Sequence, residues 1–429
     1  MTGEEIKQII DKHEPLSTRY TDQKAYKIGR NAAIYQHDPK PAPDNRIPVP
    51  FIRRAVKILK GYFASVGYIT YKDDGWFEEN LKPIYDKNNE ELKTAAAFED
   101  ACTYGKGFEL VWFEDDGFHF ATLRTDQSIP LYTQDLEPKL EGFIWHREID
   151  GVKTATYYDD ENYLVYQANK KEEYILNTEL SGTHLFGAVP VVEYQIDRDN
   201  RNAFDHCLPL MDYYDKLISE VGNEHEKFAN AVLLLRDILD DINKDVNGLT
   251  QADKIAINRI MHGVGDVKTA AAYLERNVND GFINNTLDRM ERLIYEMLCI
   301  FNPNDENFGT SSGIAQAYKL LGLEYLVADM ESYFTLGLQN RIILLASHKS
   351  GIVKEPEKAN YVSIDCKRNL PFDIERIAAI VLQLAGGKQV VSTKTLLQLF
   401  PSYMIPDAEA EADMVKAEQT LNPILGSYE

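Results

Sequence analysis

Apolar side chains recur in steps of three and four along three stretches in the second half of this chain, a spacing that lays a stripe along one side of a helix. Met211, Tyr214, Ile218, Val221, His225, Phe228 and Val232 predict a helix over about residues 205–230. Ile283, Leu287, Met290, Ile294, Met297 and Phe301 predict a second over about 280–301. A third, proline-free run extends from Ile314 to Lys349. In it Ile314, Tyr318, Leu321, Tyr325, Ala328, Phe334 and Leu338 stand at helical spacing, and Ile342 to Ala346 are apolar on all sides. Such a helix is roughly 50 Å long, and Gly322 or Gly337 offers a place for a bend. A polar loop from Asn302 to Gly313 opens it.

The rest of the chain divides by the same kind of reading. Residues 4–36 read as helices, and the prolines from Pro39 to Pro50 enforce an extended connection. Helices resume over Phe51–Phe63 and Phe77–Gly105. From 106 to 195 the character changes to aromatic and β-branched runs: Phe108–Phe113, Phe118–Leu123, Gly142–Arg147, Thr154–Tyr158, Tyr163–Tyr166, Tyr174–Ile175–Leu176 and Val189–Tyr194. Asp116-Gly117 and Asp150-Gly151 are turn signals between such runs, so this region reads as antiparallel and β-rich. Between the first two framing helices lies a small mixed insert, 231–278. Its expected elements are a strand at Val232–Leu235, a short helix at Thr250–Met261 and a strand at Val267–Leu274. Tyr361–Cys366 is a strand with no sequence neighbour, expected to complete an earlier sheet. Helices at Ile374–Ala385 and Ser392–Phe400 and an acidic tail from Asp407 close the chain, with Ser392 or Thr393 as a helix start. The class is α+β.

Charge and cysteine usage narrow the function. A net charge of −22 lacks the basic footprint with which a protein wraps nucleic acid, and it keeps a large assembly soluble. Cys102, Cys207, Cys299 and Cys366 form no CxxC pair, which argues against a zinc site or disulfide framework and for a reducing compartment. The acidic start Met1-Thr2-Gly3-Glu4-Glu5 has no apolar signal core, and no apolar run approaches the roughly 20 residues that span a bilayer. The expectation is a soluble, cytoplasmically made protein with no metal, cofactor or membrane.

Motifs of catalysis are incomplete. Gly309-Thr310-Ser311-Ser312-Gly313 satisfies G-x-S-x-G, but the nucleophile elbow needs a buried strand before it, and the preceding residues are mostly Pro, Asn, Asp and Glu. His225-Glu226 begins H-E-x-x-H, yet Ala229 stands where the second histidine belongs, so His225 is expected in the helix seam or at its border. Gly263-Val264-Gly265 lacks the third glycine of a dinucleotide site and reads as a turn. Asp212, Asp215, Glu220, Glu224 and Glu226 give the first framing helix a carboxylate-rich exterior, read as a solvated or inter-subunit face rather than a metal cluster. A serine hydrolase using Ser311 and a non-viral oligomeric helical scaffold are the alternatives to the reading that follows.

Several segments in order resemble one family. They are Asp44-Asn45-Arg46-Ile47-Pro48 with Phe51 and Gly61-Tyr62, and Asp212-Tyr213-Tyr214-Asp215-Lys216 with Ser219-Glu220, Asn223-Glu224 and Phe228-Ala229-Asn230-Ala231. The Gly309…Ser312-Gly313 start of the long helix and Val391-Ser392-Thr393-Lys394-Thr395 with Pro406-Asp407 and Glu411 complete the set. Together the chain resembles the SPP1-type bacteriophage portal proteins over nearly its whole length. The resemblance implies a portal-protein fold and a dodecameric ring at one capsid vertex of the virion. Double-stranded viral DNA passes through that ring without sequence-specific binding. It implies a wing (1–205, completed by 314–370), a stem (206–230 and 279–302), a clip (231–278), a tunnel loop (303–313) and a crown (371–429). It also implies contacts with the terminase large subunit, the head–tail adaptor, and the major capsid and scaffolding proteins. Carried onto this chain, the channel loop is Asn304, Asp305, Glu306, Asn307 and Phe308. The stem positions are Asp212, Asp215, Lys216, Glu220, Glu224, Lys227, Arg289 and Arg292, and the clip docking positions are Asp240, Asp241, Lys244, Asp245, Lys254 and Lys268.

Overall fold

The computed structural model describes residues 1–35, 43–65, 67–229, 233–236, 260–263, 271–273, 280–302, 313–368, 374–385, 391–400, 405 and 408–421. The chain opens with α1 (Gly3–Lys27), started by a capping box: Thr2 Oγ1 accepts from the Glu5 N–H while Glu5 takes the Thr2 N–H. Next come α2 (Ala32–Tyr35), α3 (Phe51–Phe63) and a short strand, β1 (Ile69–Lys72). The single helix expected over Phe77–Gly105 is three: α4 (Trp76–Asn80), α5 (Lys82–Asn88) and α6 (Glu90–Tyr104). Pro83 begins α5, and Asn89, with a left-handed φ of 52°, turns the chain into α6.

The β region holds β2 (Lys106–Glu114), β3 (Gly117–Leu123), β4 (Ser128–Tyr132), β5 (Leu140–Ile149), β6 (Val152–Tyr158), β7 (Asn162–Ala168), β8 (Tyr174–Thr183) and β9 (Val191–Gln195). Both Asp-Gly signals turn hairpins, β2 into β3 and β5 into β6. Ser128–Tyr132 was not legible as a strand, because it is short and carries Pro130. The strands form a three-stranded sheet in the order β3-β2-β9 and a five-stranded antiparallel meander, β4 to β8. Successive residues of β5 serve opposite faces. Phe143 packs with Phe108, Leu110 and Val191 of the smaller sheet, whereas Ile144 packs with Ile6 of α1. The meander is therefore covered on both sides at β5, while β8 at its edge is largely exposed.

The second half contains α7 (Leu208–Ala229), three short strands β10 (Leu233–Arg236), β11 (Ile260–Gly263) and β12 (Ala271–Tyr273), α8 (Asp280–Met297) and α9 (Gly313–Ser347). β13 (Ser363–Cys366), α10 (Ile374–Ala385), α11 (Thr393–Leu397) and α12 (Ala408–Leu421) follow. Ile260 and Met261, expected at the end of a helix, instead lie in β11, which pairs in parallel with the leucine run of β10. The rest of that expected helix falls outside the described residues. β13 finds its partner in β1, with Ile69 opposite Cys366, so the strand without a sequence neighbour closes a sheet begun near the other end of the chain.

The long helix buries Phe334 and Leu338 as its spacing suggested, but in its first half the buried stripe runs along a different side. Leu323, Val327, Met330, Phe334, Leu338, Ile342 and Leu345 face the main core, while Leu321 and Tyr325 are 39% and 68% exposed. The buried stripe carries Phe334 into a ring cluster with Phe98 (5.2 Å between centroids), Phe63 (5.8 Å) and Tyr194 (5.0 Å). Gly337 serves this packing. A Cβ there would stand 2.5 Å from the Tyr194 ring and 2.8 Å from the Glu193 carbonyl oxygen, so only glycine lets the helix lie directly on β9.

One turn further, Arg341 is fully buried. Its guanidinium donates to Glu90 and Thr94 of α6 and to Tyr71 of β1, and it approaches Glu109 of β2 at 3.4 Å. Tyr71 also donates to Glu90 at 2.7 Å and Tyr194 to Glu109 at 3.0 Å, so each carboxylate has a second donor. The Tyr85 and Phe120 rings lie 5.0 and 5.1 Å from the guanidinium carbon. Burial raises the Glu109 pKa, and Arg341 opposes that shift.

Removing the cation alone leaves two buried carboxylates facing each other. Arg341→Met is expected to destabilise the fold by about 3–5 kcal/mol, and adding Glu90→Gln and Glu109→Gln to recover most of that loss. Urea-unfolding midpoints of the single and triple variants check both statements. Equal midpoints would show that the charge is not what binds these elements.

Candidate functional site

Two of the segments that carry the family resemblance, Asp44–Pro48 with Phe51 and the α7 residues from Tyr214 to Asn223, meet in space at the junction of α3, α7 and α8. Phe51 begins α3 directly after Pro50, and its ring stands between Tyr214 of α7 (5.2 Å) and Tyr295 of α8 (5.8 Å), edge-on to both. Arg54, one turn on, donates to the Tyr295 hydroxyl at 2.8 Å. Met211, Met290, Ile294 and Leu298 join the same core, so α7 and α8 are held at this end by aromatic and methionine packing.

Beyond Tyr214 the buried face of α7 is polar. Asp215 is fully buried, and Ser219 and Asn223 are nearly so. They stand four residues apart and form a row of acceptors along the helix. The segment Asn45–Val49 runs antiparallel to that row and supplies donors from its backbone. The Val49 N–H reaches Asp215 Oδ1 at 3.0 Å, the Ile47 N–H reaches Ser219 Oγ at 3.0 Å, and the Asn45 N–H reaches Asn223 Oδ1 at 2.6 Å. Four helical residues advance about 6 Å and two extended residues about 6.6 Å, so the two periods stay in register over this length. Pro48 and Pro50 occupy the alternate positions, where an N–H would point away from the helix and go unpaired. At Gly222 a Cβ would meet Ile47 Cδ1 at 3.1 Å, and its absence lets the strap lie close. Asn45 Nδ2 adds a bond to Glu226 at 2.9 Å, and Asn31 Nδ2 donates to the second oxygen of Asp215.

This arrangement corrects the reading of α7 as a helix with a carboxylate exterior. Asp215 is a buried anchor, and Asp212 accepts from the Tyr26 hydroxyl of α1 at 2.7 Å. Lys216 and Glu220 are exposed, Glu224 is half-buried, and Lys227 falls in the last turn of the same helix. His225, expected near the seam, is exposed. Spacing alone missed the strap because the cover over α7 comes from a segment 166 residues earlier in the chain. Arg289 and Arg292 are exposed on α8. Asn304 to Phe308, and Asp240, Asp241, Lys244, Asp245, Lys254 and Lys268, lie outside the described residues, as do residues 309–312 of the serine motif. Among the described residues, Glu114, Asp116 and His119 group closely enough to hold a cation, at the β2–β3 turn, but Asp116 already accepts from Lys87 at 2.9 Å. No helix of the described chain is long and apolar enough to cross a membrane.

Burial pushes the Asp215 carboxyl up to about 6, against the pull of the Val49 N–H and Asn31. The folded chain thus holds this proton more tightly than the unfolded chain, where an aspartate titrates near about 3.9. The stability contributed by the protonated form is complete below about pH 4 and is lost as pH rises through about 6. Asp215→Asn keeps an acceptor for Val49 and removes this dependence, whereas Asp215→Leu leaves the Val49 N–H unpaired at a cost of about 1–3 kcal/mol. Melting curves at pH 5 and pH 7 test this. Wild type is expected to gain stability at pH 5 relative to Asp215→Asn, and parallel behaviour of the two would sink the assignment.

Comparison with known proteins bears on the whole chain. The family model described as "Phage portal protein, SPP1 Gp6-like" matches residues 6–420. The portal protein of Clostridium phage phiCD119 is 21% identical over 365 residues, covering 78% of this chain and 80% of the relative. Among solved structures, a chain in "Neck of native GTA particle computed with C12 symmetry" aligns with a TM-score of 0.44 at 11% identity, covering 81% of this chain and 88% of that one. A chain in "Neck of empty GTA particle computed with C6 symmetry" aligns with a TM-score of 0.41 at 13% identity, covering 89% and 93%. With the family model spanning both the strap and the helix it fastens to, this chain belongs to the SPP1 Gp6-like phage portal proteins.

Proposed function

We propose that copies of this chain close into a dodecameric ring at one vertex of a viral capsid and form the channel through which double-stranded DNA is packaged, retained and ejected. The observation that carries this reading is the family match across residues 6–420, which leaves no large part of the chain to another activity. In it, α7 and α8 form the stem, the insert 231–278 the clip, residues 303–313 the tunnel loop, residues 1–205 with 314–370 the wing, and 371–429 the crown. The pairing of β13 with β1 supports assigning 314–370 to the wing. The clip docks the terminase large subunit during packaging and the head–tail adaptor afterwards, while the outer parts meet scaffolding and major capsid protein. The protein is made in the host cytoplasm and ends in the virion. Its work is mechanical and calls for no catalysis.

The charge of −22 suits a channel wall. A sliding polyanion is not to be gripped, and an acidic lining gives it no counterion-release gain. Exposed apolar side chains on the helices, Tyr213 of α7, Phe282 and Leu293 of α8, and Leu321, Tyr325 and Leu336 of α9, supply surface for neighbours in a closed heterologous ring.

Native mass spectrometry with electron-microscope class averages of the purified protein is expected to show closed rings around a central hole. A protein that stays monomeric or dimeric even with its scaffolding partner would overturn the reading. In assembled particles, Asp305→Ala and Phe308→Ala are expected to leave rings intact while lowering the amount of nuclease-protected DNA. Normal packaging and retention by both variants would remove the tunnel loop from residues 303–313.

A further inference from the structure

We propose that His13 of α1 and His146 of β5 bind a divalent transition-metal ion of the zinc class between them, so that the ion fastens the first helix to the five-stranded meander. The inference does not rest on the portal reading.

The pair follows from two periods. Ile6 of α1 packs with Ile144 of β5, and Ile9, Ile10 and Ile129 continue this apolar seam. Two helical turns beyond Ile6 the same side of α1 carries His13, and two residues beyond Ile144 the same face of β5 carries His146. The two rings meet where the isoleucines end, with centroids 6.0 Å apart and planes at 77°. His13 is only 8% exposed, yet neither of its ring nitrogens has a hydrogen-bond partner, and Nε2 of His146 has none either. Buried polar atoms are almost always paired, so unpartnered imidazole nitrogens on two adjacent rings call for something that binds them. Burial keeps the rings neutral, pushing His13 down to about 4 and His146 below its ordinary value. A neutral imidazole keeps one nitrogen lone pair free, and this is the form that ligates metal.

Both rings line a cavity of about 530 Å³ between α1, the Thr125–Gln127 turn and the meander. Five carboxylates and three lysine or arginine side chains line it too, so its charge favours a cation over an anion. Asp126 is the carboxylate whose field reaches both rings and favours positive charge on them. It is fixed there: its backbone carbonyl accepts from Ser17 Oγ of α1 at 3.0 Å, and Arg124 Nε donates to its carboxylate at 3.1 Å. Zinc takes imidazole nitrogen at about 2.0–2.1 Å, which sets two rings on one tetrahedral ion about 5 Å apart between centres, so the observed 6.0 Å closes with a shift of about 1 Å. Among the described residues no carboxylate groups with the two rings as a third ligand, and the remaining positions of the ion fall to water from the cavity. Magnesium and calcium, which take oxygen ligands, do not suit a pair of imidazoles.

The test is equilibrium dialysis of the full chain, stripped with EDTA, against Zn²⁺ with Mg²⁺ present as a competitor. Wild type is expected to take up one Zn²⁺ per chain that Mg²⁺ does not displace. His13→Leu and His146→Leu, which extend the apolar seam, should each bind at least about tenfold more weakly, the least that loss of a supporting group costs a metal site. Asp116→Asn/His119→Gln, at the β2–β3 turn, should bind as wild type does. Hydrogen exchange on wild type needs no variant to fold: Zn²⁺ should slow the amides of residues 10–17 and 143–147 relative to EDTA. A wild type that binds no Zn²⁺ would leave the two rings to water and overturn the proposal. So would binding that survives both leucine substitutions, binding that is lost in the turn variant instead, or exchange at α1 and β5 that Zn²⁺ leaves unchanged.

Discussion

A guanidinium shut away from water constrains everything around it. Arg341 can be buried only if anions and aromatic faces meet it from several directions at once. Here they come from α6 through Glu90 and Thr94, from β1 through Tyr71, from β2 through Glu109, and from β9 through the Tyr194 hydroxyl on Glu109. Apolar packing alone would let α9 slide by a fraction of a turn against the three-stranded sheet. The charge removes that freedom, and Gly337, one turn away, brings the helix close enough for the bonds to form. Because β1 is also the partner of β13, the same point ties down the chain on both sides of the long helix.

The strap over α7 applies a gentler version of the same rule. Extended backbone needs acceptors, and a helix has no spare backbone acceptors in its middle. Asp215, Ser219 and Asn223 provide them from side chains, so α7 behaves toward residues 45–49 as the neighbouring strand of a sheet would. Phe51 then enters between Tyr214 and Tyr295 directly after the strap ends. Strap and wedge together fix α3 against α7 and α8.

Periodicity and turn chemistry located most elements. The long helix, the two framing helices and the hairpins at Asp116-Gly117 and Asp150-Gly151 lie where spacing put them. Which face each element buries was less legible. Counting apolar positions placed Leu321 and Tyr325 inward and Asp215 outward, and the structure reverses both assignments. The cause is the same in each case: the covering element is remote in sequence. Asp215 is covered from 166 residues away, and Arg341 meets Glu90 across 251. No local window contains either partner.

The strap divides the burden of specificity unevenly between its two halves. A backbone N–H is supplied by every residue except proline, so residues 45, 47 and 49 can exchange side chains freely as far as these bonds are concerned. Their partners on α7 enjoy no such latitude: each must be a short acceptor at one position of one face. For these three bonds, the row on α7 is therefore the less replaceable half. Loss of the α7 row would leave the strap's N–H groups without acceptors whatever the strap's side chains, whereas any exchange short of proline at 45, 47 or 49 would leave the three backbone donors in place.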